Sequence, residues 1–188
     1  MSENAAAALR GRLLIATPGL VGDPFERSIV AVLDHNEGGA LGVVLNRPGQ
    51  TPVGAVVPAV SELVVAPDVL FDGGPVGPGS AIALGTTSGD AQQNGWLPVS
   101  PPLVSVDLDH DPIELAATVR QLRVFAGYAG WAAGQLESEI AEDAWWVTDL
   151  LPSDVFDPDP EALWRRVLRR QPWPLCAVAS FPPDVTLN

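Results

Sequence analysis

Residues 28–48, SIVAVLDHNEGGALGVVLNRP, decide the fold class. Ser28–Asp34 and Ala40–Asn46 are apolar runs rich in Val, Ile and Leu, joined by His35-Asn36-Glu37-Gly38-Gly39. Two such runs across a short Gly-containing loop predict an antiparallel hairpin. Arg47-Pro48 ends the second strand, because proline has no N–H to give to a ladder. Just upstream, Arg12–Thr17 reads as a buried strand closed by the Pro18-Gly19 turn.

Working outward, Val53–Val65 has the composition of a short helix, with Pro58 inside it. Val69–Asp72 predicts a strand feeding the loop Gly73–Gly79, and Ala81–Leu84 predicts another. Residues 85–102, rich in Gly, Ser, Pro and Asn, read as a surface loop before a strand at Leu103–Leu108. Asp111-Pro112 opens a helix with an N-cap acid and proline at the first helical position, and Leu115, Val119 and Leu122 form its apolar stripe. Val124–Tyr128 predicts a strand, Gln135–Glu142 a helix with Leu136 and Ile140 inward, and Ala144–Thr148 a strand. Pro160–Gln171 is the clearest amphipathic helix, with Leu163, Trp164, Val167 and Leu168 on one face and four arginines on the other. Leu175–Ser180 reads as a closing strand. Strands and helices follow one another without regular βαβ alternation, so the predicted class is α+β. There is no internal repeat and no dividing linker. Residues 1–8 are expected to be a disordered lead-in, and 9–188 a single domain.

Composition narrows the function. A chain of 188 residues with 47% hydrophobic content can bury a real core. Its one cysteine, Cys176, cannot form an internal disulfide and reads as an inert core thiol. The acidic, alanine-rich first residues lack the form of a secretory signal, and no apolar run approaches membrane-spanning length, so the expectation is a cytoplasmic chain without a membrane partner. The formal net charge of −13 repels phosphate backbones, and nucleic acid is not the expected partner. All ten basic residues are arginine. The absence of lysine removes the P-loop lysine, Schiff-base chemistry and lysine general bases together.

Motifs for chemistry are sparse. The sequence contains no Gly-x-Ser-x-Gly, no His-Glu-x-x-His, no Cys-x-x-Cys and no Gly-x-Gly-x-x-Gly. Asp107-Leu108-Asp109-His110-Asp111 has the oxygen and nitrogen donors of a cation site, but alternation along a strand points them to opposite faces and Asp111 is needed as an N-cap. Asp34-His35-Asn36-Glu37 offers an acid beside an imidazole, and equally the polarity of a hairpin loop. Gly73–Gly79 could cradle an anion with its amides, although Pro75 and Pro78 delete two of them. No metal and no cofactor is expected. Arg165, Arg166, Arg169 and Arg170 form a cationic helix face, either solvated or a docking surface for an acidic partner.

Taken together, the segments LLIATP (13–18), DPFERS (23–28), DHNEGGALGVVLNRP (34–48), FDGGPV (71–76) and GYAGWAAGQLESEI (127–140) resemble the bacterial YqgE/AlgH family. Trp145-Trp146 and the Leu163-Trp164 helix fit as well. The resemblance runs through nearly the whole chain and is weakest at Gly77–Leu103 and Gln171–Pro174. It implies a bifurcated, mostly antiparallel sheet curling into a small barrel flanked by helices. It brings no catalytic residues. One branch is named for an effect on expression of a polysaccharide pathway, which implies a regulatory role. The recurring turns suggest a ligand site: Asn46 and Arg47 as polar contacts, Gly73 and Gly74 as close backbone, Trp131 as a stacking face, with Gln135 and Glu137 beside it. The same residues serve equally as corners fixing the topology.

The expected function is therefore an accessory or regulatory domain, not an enzyme. It binds a protein partner or a small polar ligand, has at most an indirect effect on gene expression, and is a monomer or weak dimer. The alternative is a small hydrolase or transferase with its site at the converging turns.

Overall fold

The computed structural model describes residues 9–22, 24–87 and 96–181. The proposed lead-in at 1–8 lies outside the described residues. Ten strands form one sheet in the order β10-β1-β2-β3-β9-β6-β8-β7, with β4 and β5 branching from it. The strands are β1 Arg12–Ala16, β2 Ile29–Asn36, β3 Gly39–Val44, β4 Pro48–Pro52, β5 Val69–Asp72, β6 Val76–Thr87, β7 Leu97–Ser100, β8 Leu103–Val106, β9 Val119–Ala132 and β10 Trp145–Asp149. The helices are α1 Val53–Val56, α2 Pro112–Thr118, α3 Gln135–Ala141, α4 Pro152–Val155, α5 Leu163–Arg169 and α6 Leu175–Val178, with 3-10 turns at Pro58–Leu63 and Pro160–Ala162.

The predicted hairpin is β2–β3, paired from Val30↔Val44 to Asn36↔Gly39. Its strands are buried on both faces, and period-two alternation divides them between two cores. Leu13, Ile15, Ile29, Ala31, Val43 and Leu45 meet the buried face of α5. Leu14, Ala16, Val30, Val32 and Val44 meet α3 through Leu136 and Ile140. A third core, with Leu115, Leu122 and Val124, lies under α1 and α2. The sheet curls until β7 returns to the start of β1, where Arg10 Nη2 donates to the Pro98 carbonyl at 2.6 Å.

The fork in the sheet is built on β9. One edge of β9 pairs with β6 along most of its length. The other is shared: β3 takes Ala129–Ala132 and β5 takes Phe125–Ala126, in parallel. Gly73 fills the split, donating to the Ala126 carbonyl at 2.8 Å and accepting from Val44 N at 2.9 Å. Only glycine fits there. A Cβ on Gly73 would strike the Gly127 carbonyl oxygen, and Gly74, at φ +143, would place one 2.5 Å from both Ala129 N and Tyr128 O. Gly127, at φ +71, faces them from β9.

Four local expectations change. The Asp111 helix stops at Thr118, and Val119–Arg123 belongs to β9. Leu115, Val119 and Leu122 suit a helical stripe, but pairing with β6 from Val119 to Tyr128 outweighs one further turn. Leu175–Val178 is a helical turn, α6, and not a closing strand. Residues 85–87 extend β6 and Leu97–Ser100 forms β7, so the surface loop is shorter than expected. Pro48 begins a strand of its own, β4, at the initial position that proline tolerates. No helix of the described residues is long and apolar enough to cross a membrane.

Candidate functional site

The seven candidate ligand residues fall into two groups. At one end of β9, Trp131, Gln135 and Glu137 gather around the start of α3. Gly134, at φ +74, turns the chain into the helix, and Gln135 Oε1 accepts from Ala132 N at 3.0 Å. Gln135 Nε2 donates to Glu139 Oε1 at 2.9 Å. The other oxygen of Glu139 accepts from the indoles of both Trp131 and Trp145, each at 2.8 Å. Phe25 stacks on Trp131 with centroids 6.2 Å apart and meets Trp145 edge-on at 5.6 Å. Trp131 is 6% exposed, so its faces are spent on packing. Glu137 instead reaches His35, whose Nε2 lies 2.9 Å from Oε1; the His35 side chain is 1% exposed and that of Glu137 51%.

The second group surrounds the fork. Asn46 accepts from Ile29 N and donates to the Arg27 carbonyl, both at 2.9 Å, tying the end of the hairpin to the start of β2. Arg47 Nη2 lies 3.5 Å from the Glu26 carbonyl, and the Arg47 carbonyl accepts from Asp72 N at 2.9 Å. The amides of Gly73 and Gly74 are taken by Ala126 O and Asp72 Oδ1, so neither is free to cradle an anion. The segment Phe25–Arg27 joins the two groups, with its ring on Trp131 and its carbonyls on Arg47 and Asn46.

The arginine face also divides. Arg166 Nη1 pairs with the buried carboxylate of Asp157, and Arg170 pairs with that of Asp154 through both terminal nitrogens, Nη2–Oδ2 at 2.8 Å. Arg165 and Arg169 form the outer row, and Arg165 Nη2 donates to the Phe181 carbonyl at 3.3 Å. The hydrogen bond to Asp157, with the nearby charge of Asp159, raises the Arg166 pKa above its ordinary value.

Sequence reasoning missed the residue behind this pair. Arg123 is 1% exposed and donates to the carbonyls of Asp157 and Ala66 at 3.1 and 2.7 Å. Its guanidinium lies 4.3 Å from the centroid of Phe71. Burial pulls its pKa down to about 10, and the charge of Asp157 acts against that shift. Val119–Phe125 carried a signal, since an arginine at a period-two position inside an apolar strand points into a core.

In the Asp107–Asp111 segment, Asp107 Oδ1 accepts from Asp109 N at 3.0 Å, Asp111 caps α2 through Ile113 N at 2.8 Å, and His110 packs edge-on against Trp96. Among the described residues, no three His, Cys, Asp or Glu side chains are placed to hold a metal ion.

The carboxylate shared by two indoles yields a stability prediction. Glu139→Ala leaves two nearly buried N–H groups unpaired, at about 2 kcal/mol. The melting midpoint should fall by roughly 6 °C. Glu139→Gln, which keeps an acceptor, should recover most of the loss in the same tryptophan-fluorescence melt. Equal losses for both variants would show that acceptance by the carboxylate position is not what matters.

Comparison with known proteins fits this architecture. Residues 13–175 match the AlgH-like family. A UPF0301 protein of Streptomyces coelicolor is 48% identical over 186 residues, covering 97% of this chain and 96% of the relative. One from Mycobacterium ulcerans is 46% identical, covering 95% and 90%. The crystal structure of DIP2367 from Corynebacterium diphtheriae superposes with TM-score 0.88 at 36% identity, covering 92% of each chain. The solution structure of AlgH from Pseudomonas aeruginosa gives 0.68 at 26% identity, covering 94% of this chain and 95% of that one. With the fork, the hairpin and the α3 corner all inside the matched residues, the chain belongs to the AlgH-like family.

Proposed function

We propose that this protein is a non-enzymatic accessory domain that docks a protein partner through the outer surface of α5 and the segment that follows it. The observation carrying this reading is Trp173, a large aromatic side chain left 81% exposed between α5 and α6. Phe181, 51% exposed, is tied to the same helix by Arg165. Arg165 and Arg169 are one turn apart and share a face. Exposed tryptophan and arginine are the residue types that most often anchor interfaces. The cationic row selects a partner whose contact surface is acidic and apolar, and the net charge of −13 makes this row a local exception.

The hydrolase or transferase alternative has less support. It needs an imidazole open to a cleft, and the His35 side chain is 1% exposed and bonded to Glu137. The polar groups of the converging turns are likewise engaged with backbone or with one another.

Benzoylphenylalanine at position 173, photo-activated in living cells, tests the docking. A discrete protein adduct is expected, reduced about tenfold when Arg165 and Arg169 are changed to Glu; each tenfold corresponds to about 1.4 kcal/mol. The same probe at Ile113, 80% exposed on α2, should not give that adduct. An adduct indifferent to the charge reversal, or the same adduct from both positions, overturns the reading.

A further inference from the structure

Strand β8 leaves β6 early. Their pairing ends at Ala83↔Val106, whereas β6 keeps its other partner, β9, at Ala81↔Ala126 and Ile82↔Phe125. On the side that β8 vacates, the backbone of Ala81 and Ile82 pairs with no other strand and no loop among the described residues. A cleft of about 510 Å³ opens at that place. It lies between the β6 edge, the end of α1 at Val56 and Val57, and the departing segment Val106–Asp109. We infer that this cleft takes an extended peptide segment of a protein partner, basic and apolar in alternation, added as a strand to β6. No residue of α5 lines it, so the site is separate from the docking surface proposed above.

An open strand edge is completed by backbone, which a peptide carries along its length and a compact small molecule does not. Alternation along β6 sends Ala83 into the core under α1 and α2 and Ile82 toward the opposite core. Ala81 lies on the Ala83 side, is exposed, and is too small to fill the space beside Val56, itself 55% exposed. An apolar side chain of an added strand fits over Ala81 against the two valines. Charge sets its neighbours. Asp107 and Asp109 are exposed at the rim, and Asp107 Oδ1 accepts from Asp109 N at 3.0 Å. Neither carboxylate meets a cation among the described residues. A second copy of this chain pairing edge to edge would bring two such rims together, with a net charge of −13 on each copy. Basic side chains on either side of the apolar one relieve that repulsion instead. The register shift between Val76 and Ala81, with Pro78 inside it, keeps the open edge short, which suits a peptide better than a whole sheet.

Titration of the 15N-labelled protein with a capped peptide alternating arginine and valine tests the site. Two controls accompany it: the same peptide with glutamate for arginine, and one N-methylated throughout. Saturable shifts centred on the amides of Ala81, Ile82 and Leu108 are expected. The N-methylated peptide keeps the charge and loses the ladder, so it should bind at least about tenfold more weakly. Asp107→Asn combined with Asp109→Asn, which retains the acceptor oxygens, should weaken the parent peptide about tenfold. Ala81→Arg, at an exposed position, should abolish the shifts while leaving the melting midpoint unchanged. Shifts that do not saturate, that spread over the acidic surface at large, or that the N-methylated peptide reproduces overturn the site. Equal binding of the glutamate peptide overturns the ligand class. Movement of the same amides when the free protein is diluted would assign the edge to a second copy and overturn the peptide.

Discussion

Gly74→Ala is expected to lower the thermal midpoint by about 10 °C. Two effects combine. A residue with a side chain held at φ +143 carries about 1–3 kcal/mol of strain. Its Cβ would also lie 2.5 Å from Tyr128 O and Ala129 N, which are backbone atoms of the central strand and cannot rotate away. Forcing β9 aside adds roughly 1–3 kcal/mol of overpacking. A total near 4 kcal/mol shifts the midpoint of a chain this size by about 8–16 °C. Two other glycines separate the causes. Gly134 also has positive φ, +74, but has nothing within 4 Å of a Cβ, so Gly134→Ala should cost the strain alone, about 1 kcal/mol. Gly79 has open space and no positive φ, and Gly79→Ala should leave the midpoint unchanged. Calorimetric melts of the three variants test the ordering. If Gly74→Ala melts with Gly134→Ala, the close approach at the fork is not what holds the two branches together.

The same glycines show where reading the sequence stops. Gly73-Gly74 is visible as a turn, but the reason for it lies more than fifty residues on, in the backbone of Gly127–Ala129. Hairpin β2–β3 and helix α5 were legible because their signals are local: apolar runs on either side of His35–Gly39, and the face formed by Leu163, Trp164, Val167 and Leu168. Val119–Arg123 was misleading because Leu115, Val119 and Leu122 satisfy a helical repeat, and only pairing with β6 overrides it. The arginine face was half legible. Spacing places Arg165 with Arg169 and Arg166 with Arg170, but it does not say that Asp157 and Asp154, nine and sixteen residues away, take the second row. Trp131, Gln135 and Glu137 were singled out for tight turns and aromatic character. Glu139, which accepts from Trp131 and Gln135, carries no signal of its own in the sequence.

Asp157→Asn should be nearly as damaging as Gly74→Ala, through electrostatics instead of shape. The substitution leaves Arg123 charged at neutral pH, 1% exposed, and without the carboxylate that offsets it. Removing the nearby charge that offsets a buried guanidinium, and with it the Arg166 ion pair, costs about 3–5 kcal/mol. Arg123→Met removes the charge while keeping much of the side-chain volume against Phe71. The double variant should therefore lose roughly 2 kcal/mol less than the two single losses added together, since each change removes the other's problem.

The pH dependence sets the sign. Arg123 has a folded-state pKa of about 10, well below that of the guanidinium in the unfolded chain. Between those values the unfolded chain binds more protons, so the contribution of Arg123 to stability grows as pH rises through that window. Without Asp157, the guanidinium sheds its proton at still lower pH, because that carboxylate acts to raise the pKa. The loss caused by Asp157→Asn should accordingly be larger at pH 7 than at pH 10.5. With no lysine in the chain, the 13C signal of the Arg123 guanidinium carbon can be followed there with little competing titration. Denaturant melts of the wild type, both single variants and the double variant at the two pH values complete the cycle. A loss equal at both, or additive in the double variant, would mean that Arg123 and Asp157 hold the lobe through their carbonyl and packing contacts alone, with no work done by the shared charge.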